Sequence, residues 1–308
     1  MGKKLVQPTC WIIMFFFIFI QPVAAEQTLI PMGHTVEVTL QYEHVVVGEQ
    51  HALTHGKVKQ GDFLLALDGK TIETINDVPK RIKNDRQLQL AEANQSYTIM
   101  IQPSEWTRFY FSLKDATDGI GTMTYVETGK QQFGALGHAI ADSQLPSMPN
   151  ITAGNIYLTR VHGVHKSEKG VPGYKVTKSE PYPVGQVRAN TVVGVFGKWA
   201  HPNEVRLAKP LKIMQQKDIK LGAASILTQV EANQVSSFQI NITAVSDDGI
   251  LFEVIDERLL AKTGGIVQGM SGSPVIQNDQ FVGAITHMFV ENPSKGAAIW
   301  IGKMIENS

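Results

Sequence analysis

Ser271 stands in Gly264-Gly265-Ile266-Val267-Gln268-Gly269-Met270-Ser271-Gly272-Ser273-Pro274, a serine held between glycines and followed by a proline. Such a run reads as a sharp turn between strands, where missing side chains let backbone N–H groups aim at one small volume. That is a place to hold an oxyanion. In a serine peptidase of the trypsin-like template the donors come from the nucleophile and the residue two before it, here Ser271 and Gly269. Acyl transfer also needs a base within reach of the hydroxyl, which is a poor nucleophile near neutral pH. Nine histidines are available. His34, His44, His51, His55, His162, His165 and His201 fall in polar loops and read as solvated surface. His138 lies in the apolar, glycine-punctuated run Phe133-Gly134-Ala135-Leu136-Gly137-His138-Ala139-Ile140, where a lone polar group must have a partner or a task. His287, 16 residues past Ser271, is the competing base. The third member of such a site is a carboxylate that fixes the imidazole tautomer. Asp256, 15 residues before Ser271, and Asp142, four residues after His138, both qualify, and spacing does not decide between them.

The elements around these residues divide into two kinds. From Ile30 to about Pro103 the pattern is that of a small α/β module. It has strands near Thr35–Leu40 and Val45–Val47, a hairpin across Asp68-Gly69, a helix from Asn76-Asp77 to about Asn84, and a closing strand at Tyr97–Ile101. This order, with the phrase from Gly61-Asp62 to Ile72, resembles a PDZ domain, a module that takes an extended peptide as an added strand. The usual carboxylate-binding loop is not evident near Met32-Gly33-His34-Thr35. The aromatics Trp106, Phe109, Tyr110 and Phe111 then form a stretch suited to packing two halves together. Beyond it, short strand signals recur between glycine-rich turns from Ile120 to Ile301, the signature of an all-β barrel or sandwich.

With 308 residues and 43% of them hydrophobic, the chain has material for more than one core. Its 28 basic residues balance 28 acidic ones, so no net field draws it to nucleic acid. Lys3 and Lys4, the apolar run Cys10–Ile20 and the small residues Val23-Ala24-Ala25 have the order of a secretory signal, with residues 1–25 either cleaved or kept as an anchor. The one cysteine, Cys10, belongs to that segment, so the exported body has no disulfide framework and no cysteine nucleophile. No His-Glu-x-x-His spacing or ligand cluster suggests a metal, and no cofactor motif is present.

Three stretches together resemble the SpoIVB peptidase family, the stage IV sporulation protein B group of endospore-forming bacteria. They are Asp256 to Pro274, then Gly283-Ala284-Ile285-Thr286-His287-Met288-Phe289-Val290, and upstream Gly119 to Thr124 with Phe133 to His138. The resemblance implies a mainly β fold: a trypsin-like double β-barrel over residues 105–308, preceded by a PDZ-like domain over 26–104. It implies Ser271 as nucleophile, His138 as general base and Asp256 as the orienting carboxylate, with Gly269 and Ser271 forming the oxyanion hole. It further implies export to the space between forespore and mother-cell membranes and self-processing. It also implies cleavage of a membrane-bound regulator so that an intramembrane protease activates a mother-cell sigma factor. The contrasting expectation is a catalytically silent barrel whose PDZ-like domain tethers a membrane partner.

Overall fold

A computed structural model describes residues 27–92, 95–200 and 207–308. The signal or anchor segment and His201 lie outside the described residues. No described helix is long and apolar enough to cross a membrane.

The protein is built from antiparallel strands that close twice. In the first ring Thr35–Val47 pairs with Leu113–Glu127, which pairs with Gln132–Ala135, then Gly194–Trp199, Gly185–Thr191 and Ile151–His165, which returns to Thr35–Val47. The second ring is Gly222–Glu231, Gln234–Ser246, Gly249–Val254, Asn292–Trp300, Gln280–Phe289 and Pro274–Gln277, closing back on its first strand. Alternation makes each wall two-faced. Val36, Val38 and Leu40 point into the first barrel, while Phe238, Ile240 and Ile242 point into the second. A separate apolar cluster joins Tyr125, Val193 and Phe196 of the first barrel to Phe281, Ile299 and Met304, so the two barrels share a packed seam.

Residues 45 to 113 form a third core of their own, with Val45, Val47, Leu64, Leu88, Leu90, Ile101, Trp106, Phe109 and Leu113. This unit is inserted between two adjacent strands of the first barrel, and the Thr35–Val47 strand runs through both. A boundary at 104/105 is therefore not the boundary of the fold. Residues 28 to 42 belong with the barrel, because Val36, Val38 and Leu40 bury against its other strands and not against the inserted unit. The expected helix from Asn76 also differs. Only a short 3-10 turn, Ile75–Asp77, forms after Thr74, and Val78 is extended at φ −94°, ψ 122°. Pro79 follows it, and the ring of a proline disfavours helix at the preceding residue. The helix in this unit is instead Pro103–Ser112, which starts on a proline and buries Trp106 and Phe109. Trp106 donates to the Pro79 carbonyl at 2.8 Å. The aromatic stretch thus fills the inserted unit's core, with Phe111 left 79% exposed, and does not join the two halves.

Candidate active site

The Ser271 turn is set by what precedes and follows it. The helix Glu257–Thr263 is capped by Asp256 and stopped by Gly264, which takes the left-handed conformation at φ 70°. From there the chain is fastened to the hairpin strand Tyr174–Ser179. Gln268 donates to the Gly173 carbonyl at 2.8 Å, and Lys175 donates its backbone N–H to the Gln268 carbonyl at 3.1 Å. Gly269 has φ 93° and Gly272 φ 93°, values an L side chain rarely adopts. Beyond Ser271, the Gly272 N–H bonds to the Ile285 carbonyl at 2.7 Å, and the Thr122 N–H bonds to the Ser271 carbonyl at 2.7 Å. The serine is therefore held from both barrels.

His138 arrives from the other side. Leu136 and Gly137, at φ 70° and 72°, turn the chain sharply at the end of the Gln132–Ala135 strand. Gly272 lies directly against this turn: a Cβ on it would sit 2.5 Å from the Leu136 N and 2.1 Å from the Thr122 O. Gly137 packs on Ile285 and Thr286 less closely, a Cβ there lying 3.1 Å from the Ile285 O. The hairpin strand Gln280–Phe289, entered through Asn278 and Asp279 at φ 51° and 56°, then links the two sides. The Thr286 carbonyl accepts a hydrogen bond from Ser271 Oγ at 3.1 Å. The neighbouring His287 ring stacks on His138, centroids 5.6 Å apart and planes 26° from parallel. Serine, base and competing histidine thus converge on one strand segment.

His138 is half-buried, and its Nδ1 lies 2.7 Å from the Ala139 carbonyl. A carbonyl can only accept, so Nδ1 carries the proton and Nε2 keeps the lone pair. Burial lowers the His138 pKa; the Ala139 bond raises it and the neighbouring His287 lowers it further. The net shift is downward, which favours the neutral imidazole that a base requires.

The carboxylate is placed differently from the expectation. Asp256 is buried beneath its own helix, where its side chain accepts from the backbone N–H groups of Arg258, Leu259 and Gln239 at 3.0, 3.4 and 3.1 Å. The Arg258 guanidinium adds bonds of 3.0 and 2.8 Å. The Arg258 hydrogen bonds hold its pKa down at about 2. Asp142 is bound to Lys114 at 2.5 Å and to the Gln144 N–H at 2.8 Å. Among the described residues no carboxylate bonds to His138, so neither aspartate is positioned as its orienting partner. A helix cap and a triad carboxylate look alike in sequence, since both put an aspartate at the end of an apolar strand.

The two oxyanion candidates retain free donors. Among the described residues neither the Gly269 nor the Ser271 N–H makes a hydrogen bond. Each lies on a peptide whose carbonyl is engaged, that of Gln268 by Lys175 and that of Met270 by Ser273 at 2.9 Å. In a trans peptide the N–H points opposite to the carbonyl, so both donors are turned away from those anchors. Two histidines read as solvated are not. His51 is buried, its Nε2 2.7 Å from Ser112 Oγ, and His34 is half-buried with an unpartnered Nδ1. No group of three or more metal-ligating side chains occurs among the described residues.

Residues 107–305 match the family model described as SpoIVB peptidase S55, about two-thirds of the sequence. The chain belongs to this family. This S55 chain is accordingly a serine peptidase, with peptides or proteins as its substrates. No curated protein matches it. Among solved structures it is similar to Rv3671c from M. tuberculosis H37Rv, a serine-to-alanine mutant in an inactive form. That likeness has 11% identity and a TM-score of 0.33, over 61% of this S55 chain and 79% of the other.

Proposed function

We propose that the protein is an exported serine endopeptidase that uses Ser271 as nucleophile, His138 as general base and the N–H groups of Gly269 and Ser271 as oxyanion donors. The observation that carries the proposal is the packing of the Gly272 turn on Leu136. It sets the serine and the histidine turn side by side, with Thr286 meeting Ser271 and Gly137 and His287 stacked on His138. In the reaction Ser271 Oγ leaves the Thr286 carbonyl and gives its proton to His138 Nε2 as it bonds to the scissile carbonyl carbon. The carbonyl oxygen takes the negative charge and meets the two N–H donors. His138 then returns the proton to the leaving amine, and water repeats the sequence on the acyl-enzyme. The Ala139 carbonyl holds the His138 tautomer, a task given to a carboxylate in the trypsin-like template. Asp256 acts at a distance, by capping the helix that leads into Gly264 and the serine turn.

The unit from residue 45 to 113 fits the PDZ-like role. It has its own core, and its Gln95–Ile101 strand ends the strand order of its sheet, where an extended peptide could add. We assign it the positioning of a membrane-bound regulator or of the protein's own N-terminal segment. Cleavage of that regulator in the forespore intermembrane space would trigger activation of the mother-cell sigma factor. Reaction with an alkyl fluorophosphonate should label Ser271, and Ser271→Ala should lose both the label and peptide cleavage. Proteolysis persisting in that variant removes Ser271 from the mechanism. Sigma-factor activation that survives Ser271→Ala would show the protein to be the silent adaptor.

A further inference from the structure

Lys175 is 6% exposed, and no carboxylate is among its partners. Its ammonium bonds to Thr35 Oγ1 at 2.9 Å, Thr228 Oγ1 at 3.2 Å and the Gly269 carbonyl at 3.1 Å. Three acceptors match its three hydrogens. Burial of a charge with only neutral partners is costly, and desolvation pushes the pKa down to about 7. A methionine could fill the same space without that cost, so packing does not explain the lysine.

The partners explain it better. Thr35 opens a strand of the first barrel, Thr228 lies in a strand of the second, and Gly269 is the oxyanion residue two before Ser271. Lys175 also holds the peptide on the other side of Gly269, since its backbone N–H bonds to the Gln268 carbonyl at 3.1 Å. Both carbonyls flanking the Gly269 N–H are therefore fastened by one residue. Thr122 Oγ1 adds a second bond to the Gly269 carbonyl at 2.7 Å. Glycine at φ 93° has little steric resistance to peptide rotation, and a rotated peptide would swing this N–H out of the site.

Resting on the serine-peptidase reading above, we infer that Lys175 is a positioning residue that fixes the aim of the Gly269 N–H, coupling the docking of the two barrels to assembly of the oxyanion hole. It touches no reacting atom; it acts through the Gly269 backbone.

The test compares full-length wild type with Lys175→Met, measuring kcat and KM on a peptide substrate, affinity for a matched peptide boronate, and Tm. The boronate forms a tetrahedral adduct on the serine and so reads the oxyanion donors. Loss of one such donor costs about 10²- to 10³-fold in kcat. The expected result is a kcat fall of about that size with KM changed by less than about threefold, and boronate affinity falling with kcat. Should Lys175→Met not fold, Lys175→Gln carries the same expectation, because its amide nitrogen stops one atom short of the ammonium position and offers two hydrogens where the lysine offers three. A variant with a lowered Tm but unchanged kcat and boronate affinity would make Lys175 merely structural and overturn the inference. Wild type that neither cleaves peptide nor reacts at Ser271 would overturn the peptidase reading and this inference together. Active wild type with active Lys175 variants would overturn the inference alone.

Discussion

Replacing Asp256 by asparagine separates two roles that the residue could play. As a helix cap, Asp256 receives the Arg258, Leu259 and Gln239 N–H groups, together with the Arg258 guanidinium. Asparagine caps a helix about as well as aspartate, so the Arg258 and Leu259 bonds survive. Its amide nitrogen, however, must face the Gln239 N–H and the guanidinium where an acceptor is needed. Arg258 is 71% exposed, so its ion pair is screened by water and contributes little. The misdirected Gln239 donor costs about 1–2 kcal/mol. The cost is therefore about 1–2 kcal/mol, a fall of several degrees in Tm, with kcat reduced by less than about tenfold. As the carboxylate of a catalytic triad, the same change would cost about 10⁴-fold in kcat with the fold intact. Thermal unfolding and kcat on one peptide substrate distinguish the two. The pH dependence gives a second reading. The native pKa of about 2 lies below the ordinary aspartate value. The stabilisation is therefore complete above about pH 4 and lost as the pH falls towards 2. The Asp256→Asn variant has no such titration, so the stability gap between the two proteins should close over that window. A 10⁴-fold loss of kcat without destabilisation would refute the cap assignment.

The acid limb of kcat/KM reports His138, whose pKa is lowered first by burial. Activity should therefore persist below about pH 6.5 before it falls, and His287→Phe, which removes the neighbouring charge, should move the limb upward; a limb at or above 6.5 in the wild type would count against this environment. Gly272→Ala would place a methyl 2.1 Å from the Thr122 carbonyl oxygen at a φ of 93°, so activity should be lost and Tm should fall, whereas wild-type kcat in that variant would show that the turn is not held against Leu136.

How much is legible in the sequence differs by element. Strand alternation marks most of both barrels, because residues such as Val36, Val38 and Leu40 must face a core at every second position. The glycine-flanked serine and the histidine in an apolar run are visible because each is a local anomaly. The absence of a helix after Asn76 is a matter of local chemistry too, since Pro79 is in the sequence and outweighs the Val78–Ile82 spacing.

Other features depend on which segments meet. That residues 28 to 42 join the barrel follows from pairing with Leu113–Glu127, a partner more than 70 residues away, and alternation does not name a strand's partner. Asp256 reads equally as a cap or as a triad member until the Gln239 N–H and Arg258 are brought to it. Lys175 sits in a polar, unremarkable Gly173-Tyr174-Lys175-Val176, and only the docking of two barrels buries its ammonium among Thr35, Thr228 and Gly269. The sequence by itself determined the chemical types at the site and the periodicity of the walls, since both are properties of neighbouring residues. The tertiary structure decided which polar groups share a partner, because hydrogen bonds between residues 53 to 194 positions apart exist only once the barrels are closed and packed together.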